Sequence, residues 1–232
     1  MSLPIGFDVI SDLNLSPEDS FNWEGKATSL YCVIAGNISN DLRTIKQTLL
    51  HLSKLYQGIF YVMGTLEYDM VVDIDQRSDE IFKICDAIRN VAVLHHHVVI
   101  VDGIAIVGAN GWYNATHDIS NELELEGHRH EDLSYLKNTL EKLQRHLDVK
   151  KIFIVSNSVP GPSLYFGEEP PAVAVQLSLD LLLGSDTERK ISHWAYGTYG
   201  KIVDTTINGI NYINNSYYKR KPYWPKRVEI SV

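Results

Sequence analysis

The residues with chemical potential in this chain gather at the ends of short apolar runs. The first run ends in Ser11-Asp12-Leu13-Asn14, the second in Gly36-Asn37-Ile38-Ser39-Asn40 and the third in Gly64-Thr65-Leu66-Glu67. A later run ends in Ser156-Asn157-Ser158-Val159-Pro160, and near the C-terminus comes His193-Trp194-Ala195-Tyr196-Gly197-Thr198-Tyr199-Gly200. Ligands of α/β sheets collect beyond the carboxyl ends of strands, so these segments are expected around one pocket. The groups on offer there are carboxylate, carboxamide, hydroxyl and imidazole. The hydroxyls of Ser156 and Ser158 have no neighbouring general base. The chain has no Gly-x-Ser-x-Gly elbow, no Walker loop and no Gly-x-Gly-x-x-Gly after a strand.

Histidines are the other source of chemistry. His95-His96-His97 follows the apolar run Val91 to Leu94. On an extended segment alternate side chains point opposite ways, so His95 and His97 would share a face. A structural or exposed role is the expectation for the trio. His128, His130 and Glu131 could grip a metal near a helix start, but they read more simply as surface residues of a helix. His193, on the strand that contains Trp194, could line the pocket, and one histidine beside Asp12 could make a mononuclear metal site.

The elements that position these residues follow from periodicity. Phe7 to Ser11, Tyr31 to Ala35, Ile59 to Met63, Val98 to Val101, Ile104 to Gly108 and Ile152 to Ser156 are short, mostly continuous apolar runs, the pattern of strands covered on both faces. Asn40 to Tyr56 reads as a helix capped by Asn40 or Asp41, with Leu42, Ile45, Leu49, Leu52 and Tyr56 on one face. Leu133, Leu136, Leu140, Leu143 and Leu147 mark a second helix, and Ala172 to Leu183 a third. Pro160 to Pro171 is a long loop, and Ile202 to Val232 reads as strands joined by turns such as Asn208-Gly209. Strand and helix alternate early and strands dominate late, which predicts an α/β fold of two packed sheets with helices outside.

The whole chain, 1–232, suits one domain. It is 44% hydrophobic and 22% charged, the balance of a folded globular protein. The two cysteines, Cys32 and Cys85, sit in apolar stretches and read as buried thiols of a reducing compartment, so a cytoplasmic location is expected. Met1 to Phe7 has no basic run before an apolar core, so no signal peptide is expected, and no apolar run approaches the roughly 20 residues that span a bilayer. The formal charge of −8 argues against a broad nucleic-acid surface. The local exception is Lys219, Arg220, Lys221, Lys226 and Arg227 interleaved with Tyr217, Tyr218, Tyr223 and Trp224. That mixture could bind nucleic acid, but it reads first as a solvated tail.

In their order the five strand-end segments resemble the signature blocks of the calcineurin-like metallophosphoesterases. That pattern runs Asp-x-His, Gly-Asp, Gly-Asn-His-Asp/Glu, a His or His-His pair, and Gly-His-x-His. The likeness covers nearly the whole chain and extends to Gly108-Ala109-Asn110-Gly111-Trp112-Tyr113, to His128-Arg129 at the head of the leucine-rich helix, and to the ending Ile210 to Asn215 and Pro225 to Ile230. It implies a calcineurin-like phosphoesterase fold, a two-sheet sandwich flanked by helices.

The resemblance also shows what has been replaced. Such enzymes hold two divalent metals such as Mn, Fe or Zn, which clamp a phosphate and activate a bridging water. Asp12 matches the first aspartate. The first histidine position holds Asn14, the metal-bridging aspartate position Asn37, the third-block asparagine position Thr65 and the catalytic histidine position Leu66. Asn157 and Ser158 stand for the fourth-block pair, and Thr198 and Gly200 for the two fifth-block histidines. One carboxylate among neutral groups cannot offset the desolvation of two divalent ions. The resemblance therefore implies a pseudoenzyme: a metal-free vestigial pocket lined by hydrogen-bonding groups, with no catalytic residues and no cofactor. Its role would be binding, scaffolding or structural, with a protein partner or a second copy of itself; 13 tyrosines and 4 tryptophans are compatible with interfaces. Two alternatives stand beside it: a metal-dependent hydrolase with a site rebuilt around Asp12 and His193, and a nucleic-acid-associated protein using the basic aromatic segment.

Overall fold

The computed structural model describes residues 3–112, 122–165, 182–217 and 222–232. The strands in chain order are β1 (Ile5–Ile10), β2 (Tyr31–Ala35), β3 (Gly58–Val62), β4 (Val91–Val93), β5 (Val98–Val101), β6 (Ile104–Ala109), β7 (Lys151–Ser156), β8 (Ile191–Tyr196), β9 (Ile202–Ile207), β10 (Ile210–Asn215) and β11 (Lys226–Ile230). They form two sheets, ordered β11-β1-β2-β3-β4 and β5-β6-β7-β8-β10-β9. Strands β1 to β4 run parallel, as do β6, β7, β8 and β10, while β5, β9 and β11 pair antiparallel to their neighbours. The mixed α/β class expected from the alternation of elements is the one observed.

The central strands β2, β3, β6 and β7 are buried on both sides because each sheet is covered twice, whereas the edge strands β9 and β11 alternate buried and exposed residues. Phe7, Val9, Val33, Val62, Phe153 and Val155 fill the layer between the sheets. Helices α1 (Leu42–Leu52) and α2 (Ile74–Asp86) cover the outer face of the first sheet, where Ile45, Leu49 and Ile81 pack on Ile34 and Tyr61. Helix α3 (Glu122–Arg145) covers the second with Leu136, Leu140 and Leu143 against Ile154 and Trp194. Burying such side chains contributes roughly 1.5–3 kcal/mol each before chain entropy is set against it.

Several boundaries differ from the sequence expectation. Asp41, one of the two caps anticipated, accepts from Thr44 N–H at 2.7 Å. The helix it opens stops at Leu52, so Tyr56 lies beyond it, buried through bonds to Trp23 and Asp8 instead. Leu147 is 84% exposed, because α3 ends at Arg145 before the leucine repeat does. Helix α2 is absent from the sequence expectation: its buried positions are Ile74, Ser78, Ile81 and Cys85, and most of the others are charged. Of the helix expected over Ala172 to Leu183 only the last two residues are described, and they are helical; the remainder, and the loop beyond Tyr165, lie outside the described residues.

Parallel strands send their carboxyl ends the same way, so the segments after β1, β2, β3, β7 and β8 emerge on one end of the sandwich. There an isolated parallel bridge, Ser11 to Ser216, ties the end of β1 to the end of β10. Ser11 N–H donates to the Asn215 carbonyl at 3.2 Å, and Tyr217 N–H to the Ser11 carbonyl at 2.9 Å.

Candidate functional site

Strand ends must turn sharply for their side chains to meet. Asp12, Asn14, Asn37 and Thr198 all take left-handed backbone, with φ of 51°, 45°, 59° and 63°. Asp and Asn tolerate that region. A β-branched threonine does so at a cost of roughly 1–3 kcal/mol. The return is that the backbone and hydroxyl of Thr198 both aim into the pocket.

The contacts form a closed set. The Asn37 amide nitrogen donates to Asp12 Oδ1 at 2.8 Å and to Thr198 Oγ1 at 3.3 Å. Thr198 N–H donates to the same Asp12 oxygen at 2.9 Å. The Thr198 hydroxyl donates to Asn157 Oδ1 at 2.8 Å, which also accepts from Thr65 N–H at 3.1 Å. Leu66 N–H donates to Asn37 Oδ1 at 2.9 Å, and the Asn157 amide to the Ala35 carbonyl at 3.1 Å. The other Asp12 oxygen accepts from the Ser11 hydroxyl at 3.3 Å. Burial lifts the Asp12 carboxyl above its ordinary range, and the bonds from Thr198, Asn37 and Ser11 hold back part of that rise.

Two glycines leave room for this ring. A Cβ on Gly64 would stand 2.3 Å from Asn37 Oδ1 and 2.5 Å from the Asn37 backbone nitrogen. One on Gly197 would stand 2.3 Å from the Ala35 carbonyl oxygen and 2.7 Å from the Asn157 amide.

Beneath the ring lies Glu67, the last residue of the Gly64-Thr65-Leu66-Glu67 segment and a site residue that the sequence alone does not mark. It is fully buried. Its carboxylate accepts from Gly64 N–H at 2.8 Å, Asn37 N–H at 3.1 Å, Ile38 N–H at 2.6 Å and the Tyr61 hydroxyl at 2.8 Å. Burial pushes its carboxyl up, against the pull of those donors. Glu67 thus fixes the loops after β2 and β3 relative to each other. An acidic residue one turn past an apolar strand was the available signal.

Of the expected site residues, Asp12, Asn37, Asn157 and Thr198 meet through side chains, and Thr65 and Leu66 join through backbone N–H groups. Asn14 bonds the Asp12 carbonyl at 3.0 Å. Ser158 is buried and its N–H donates to the Asn110 carbonyl at 3.1 Å, outside the ring. Gly200, at φ +70°, sits in the turn between β8 and β9 and contributes no side chain. His193 bonds Ser192 Oγ at 2.9 Å and lies 5.7 Å from the Phe153 ring. Burial and Lys151 push it down to about 4. It stands three residues, about 10 Å of strand, before Tyr196, and shares no bonding partner with Asp12.

The remaining histidines form a second cluster. His95, His96 and His97 lie in a bend between β4 and β5, not on an extended segment, so the expected alternation does not apply. His96 takes φ +49°, and the rings of His95 and His96 stack at 4.6 Å. His96 Nε2 lies 3.0 Å from Asp132 Oδ1 on α3, and the other Asp132 oxygen accepts from Gly111 N–H at 2.8 Å. His128 lies inside α3 rather than at its start, stacks on Trp112 at 4.8 Å and approaches Glu131 at 3.8 Å; His130 is exposed. In the basic aromatic segment Lys226 pairs with Asp204 and Arg227 with Glu229, and residues 218–221 lie outside the described residues.

The donor set does not fit the pair of divalent ions that the resemblance would call for. Asp12 is its one ring carboxylate, and N–H protons from Asn37 and Thr198 already aim at the oxygen a cation would need. An Asp at position 37 would set two carboxylates against each other; Asn turns that repulsion into a hydrogen bond. Among the described residues no three His, Cys, Asp or Glu side chains are grouped to hold a metal, and no helix is long and apolar enough to cross a membrane.

No family model matches the chain. It is 25% identical over 130 residues to uncharacterized protein L509 of Acanthamoeba polyphaga mimivirus, a match to 49% of this chain and 46% of that protein. The matched region thus spans about half the length of that relative. Among solved structures it resembles a phosphopantetheinyl hydrolase from Mycobacterium tuberculosis, with a TM-score of 0.65, 16% identity, and coverage of 98% of this chain and 97% of that one. It also resembles a putative 5'-nucleotidase from Staphylococcus aureus, with a TM-score of 0.56 and 11% identity over 92% of this chain and 48% of that one. At these identities the likeness is one of architecture, and the architecture of this chain is the calcineurin-like phosphoesterase fold.

Proposed function

We propose that this chain keeps a phosphoesterase fold without dinuclear-metal phosphoesterase chemistry and serves as a binding or scaffolding module, with a protein partner or a second copy in the cytoplasm. One observation carries the reading: the carboxylate and carboxamide oxygens at the strand ends are engaged by protein N–H and O–H groups. A cation would have to displace bonds that are already made, in a ring whose single carboxylate is Asp12, while the Glu67 carboxylate beneath it is taken up by backbone N–H groups. Leu66 stands where the resemblance puts a catalytic histidine, and it has no proton to give.

The test is metal content and hydrolysis together. The protein is incubated with excess Mn²⁺ and Zn²⁺, freed of unbound metal by gel filtration and analysed by mass spectrometry. The expected result is essentially no retained ion, and no hydrolysis of bis-p-nitrophenyl phosphate with Mn²⁺ beyond that of an Asp12→Ala variant. One or two retained ions per chain, lost together with hydrolysis in Asp12→Ala, would overturn the reading.

A further inference from the structure

We infer that loop 69–73, which leads away from the strand-end site, is a docking finger for a protein partner presenting an apolar socket rimmed by basic side chains. The inference rests on the binding role proposed above and gives that role a partner chemistry.

Val72 is 100% exposed and Met70 91% exposed. They lie two residues apart on one loop. The loop itself is held firmly. Before it, buried Tyr68 shares a hydrogen bond with Ser78 Oγ at 2.9 Å, and Asp69 N–H donates to the Leu66 carbonyl at 3.1 Å. After it, Asp73 caps α2 by accepting from Gln76 N–H at 2.8 Å, and Ile74 is buried. Met70 takes φ +61°, a conformation in which glycine or asparagine is at ease and a long side chain is not. A turn shaped only by solvation would place a polar residue there. This one combines backbone strain with near-complete exposure of two apolar side chains, and among the described residues nothing covers either. A partner that buries the tip would cover both.

Charge selects the kind of partner. Asp69, Asp73, Asp75 and Asp79 are exposed around the tip, and the nearby cation Arg77 lies 4.0 Å from Glu80. Such a rim is complementary to lysine and arginine and is repelled by anionic lipid headgroups. A protein surface with an apolar socket and a basic border meets both requirements.

The experiment titrates the full chain with a synthetic amphipathic helix of leucine and lysine, followed by fluorescence anisotropy. Vesicles of phosphatidylcholine with phosphatidylserine are titrated in parallel. The expected result is peptide binding weakened about tenfold in Met70→Ser/Val72→Ser. Asp69→Asn/Asp75→Asn should weaken it several-fold at low salt and not at high salt. Leu147→Ser, which removes a similarly exposed apolar side chain elsewhere, should leave it unchanged. All substituted side chains are exposed, and thermal unfolding verifies that the fold is kept. Absence of peptide binding, equal loss in Leu147→Ser, or binding that moves to the vesicles would overturn the finger. Hydrolysis is not among these readouts, so a discovered activity would remove the non-catalytic reading and leave this result standing.

Discussion

The polar cluster at the strand ends and the one where α3 meets the bend before β5 are built from different residue types. The strand-end ring holds one carboxylate, Asp12, among carboxamides, a hydroxyl and backbone N–H groups. The α3 cluster holds imidazoles of His95, His96 and His128 beside the carboxylates of Glu131 and Asp132. In a phosphoesterase fold the ionisable groups would be expected at the strand ends. Here the ring is close to charge-neutral and self-satisfied, and the titratable pairs lie away from it. A ring with one carboxylate among neutral donors closes on itself through hydrogen bonds; the pairing of His96 with Asp132 depends on pH.

The largest test of that contrast is Glu67→Ala, which leaves four buried donors beneath the ring without their acceptor. We expect a loss of about 4 kcal/mol in unfolding free energy by urea titration. A loss below about 1 kcal/mol would show that the ring does not depend on it.

Asn37→Asp should cost about 2–3 kcal/mol, because it places a second carboxylate against Asp12 in a buried site. Calorimetry with and without Mn²⁺ sharpens the point. Recovery of stability by Mn²⁺ in the variant alone would mean that this single exchange separates a neutral ring from a charged one.

Asp12→Asn should stay within about 1 kcal/mol of the parent at neutral pH, since the amide oxygen still accepts from Asn37 and Thr198. The parent carboxyl is raised by burial, so the folded state takes up protons that the unfolded chain releases. The parent therefore loses stability as pH climbs from the unfolded carboxyl value near 3.8 through the raised folded one, and the variant does not share that loss. Urea titrations at pH 4 and pH 7.5 should find the variant gaining on the parent as pH rises.

The smallest effect is expected from His96→Ala, roughly 0.5 kcal/mol, because a third of the His96 side chain meets water. The bond to Asp132 raises the His96 pKa. The contribution is then complete below about 6.5 and disappears as pH rises through the folded value. Parent and variant should differ at pH 5.5 and converge by pH 8.5.

The sequence made the sandwich legible because parallel strands covered on both faces leave unbroken apolar runs, as at Tyr31–Ala35 and Lys151–Ser156. The ring was legible through Asp12, Asn37, Asn157 and Thr198, each one or two residues past a strand. What stayed hidden has physical reasons. Helix α2 has a helical four-three-four spacing of buried positions, but one of them is Ser78 and charged residues outnumber them, so the apolar stripe is short and interrupted. Glu67 looks like a surface acid until the donors of three segments are seen to converge on it. The pairing of His96 with Asp132 spans 36 positions and depends on a left-handed bend that spacing does not reveal.

The Ser11–Ser216 bridge has a kinetic consequence. It joins residues at nearly opposite ends of the chain, and the ring beside it draws on segments from Asp12 to Thr198. Neither can exist until both sheets have formed and met, so this end of the molecule should be the last to assemble and unformed in the folding transition state. Damage to the ring would then leave the folding rate nearly untouched and appear as faster unfolding. The strand-end ring would then set how long the native state survives.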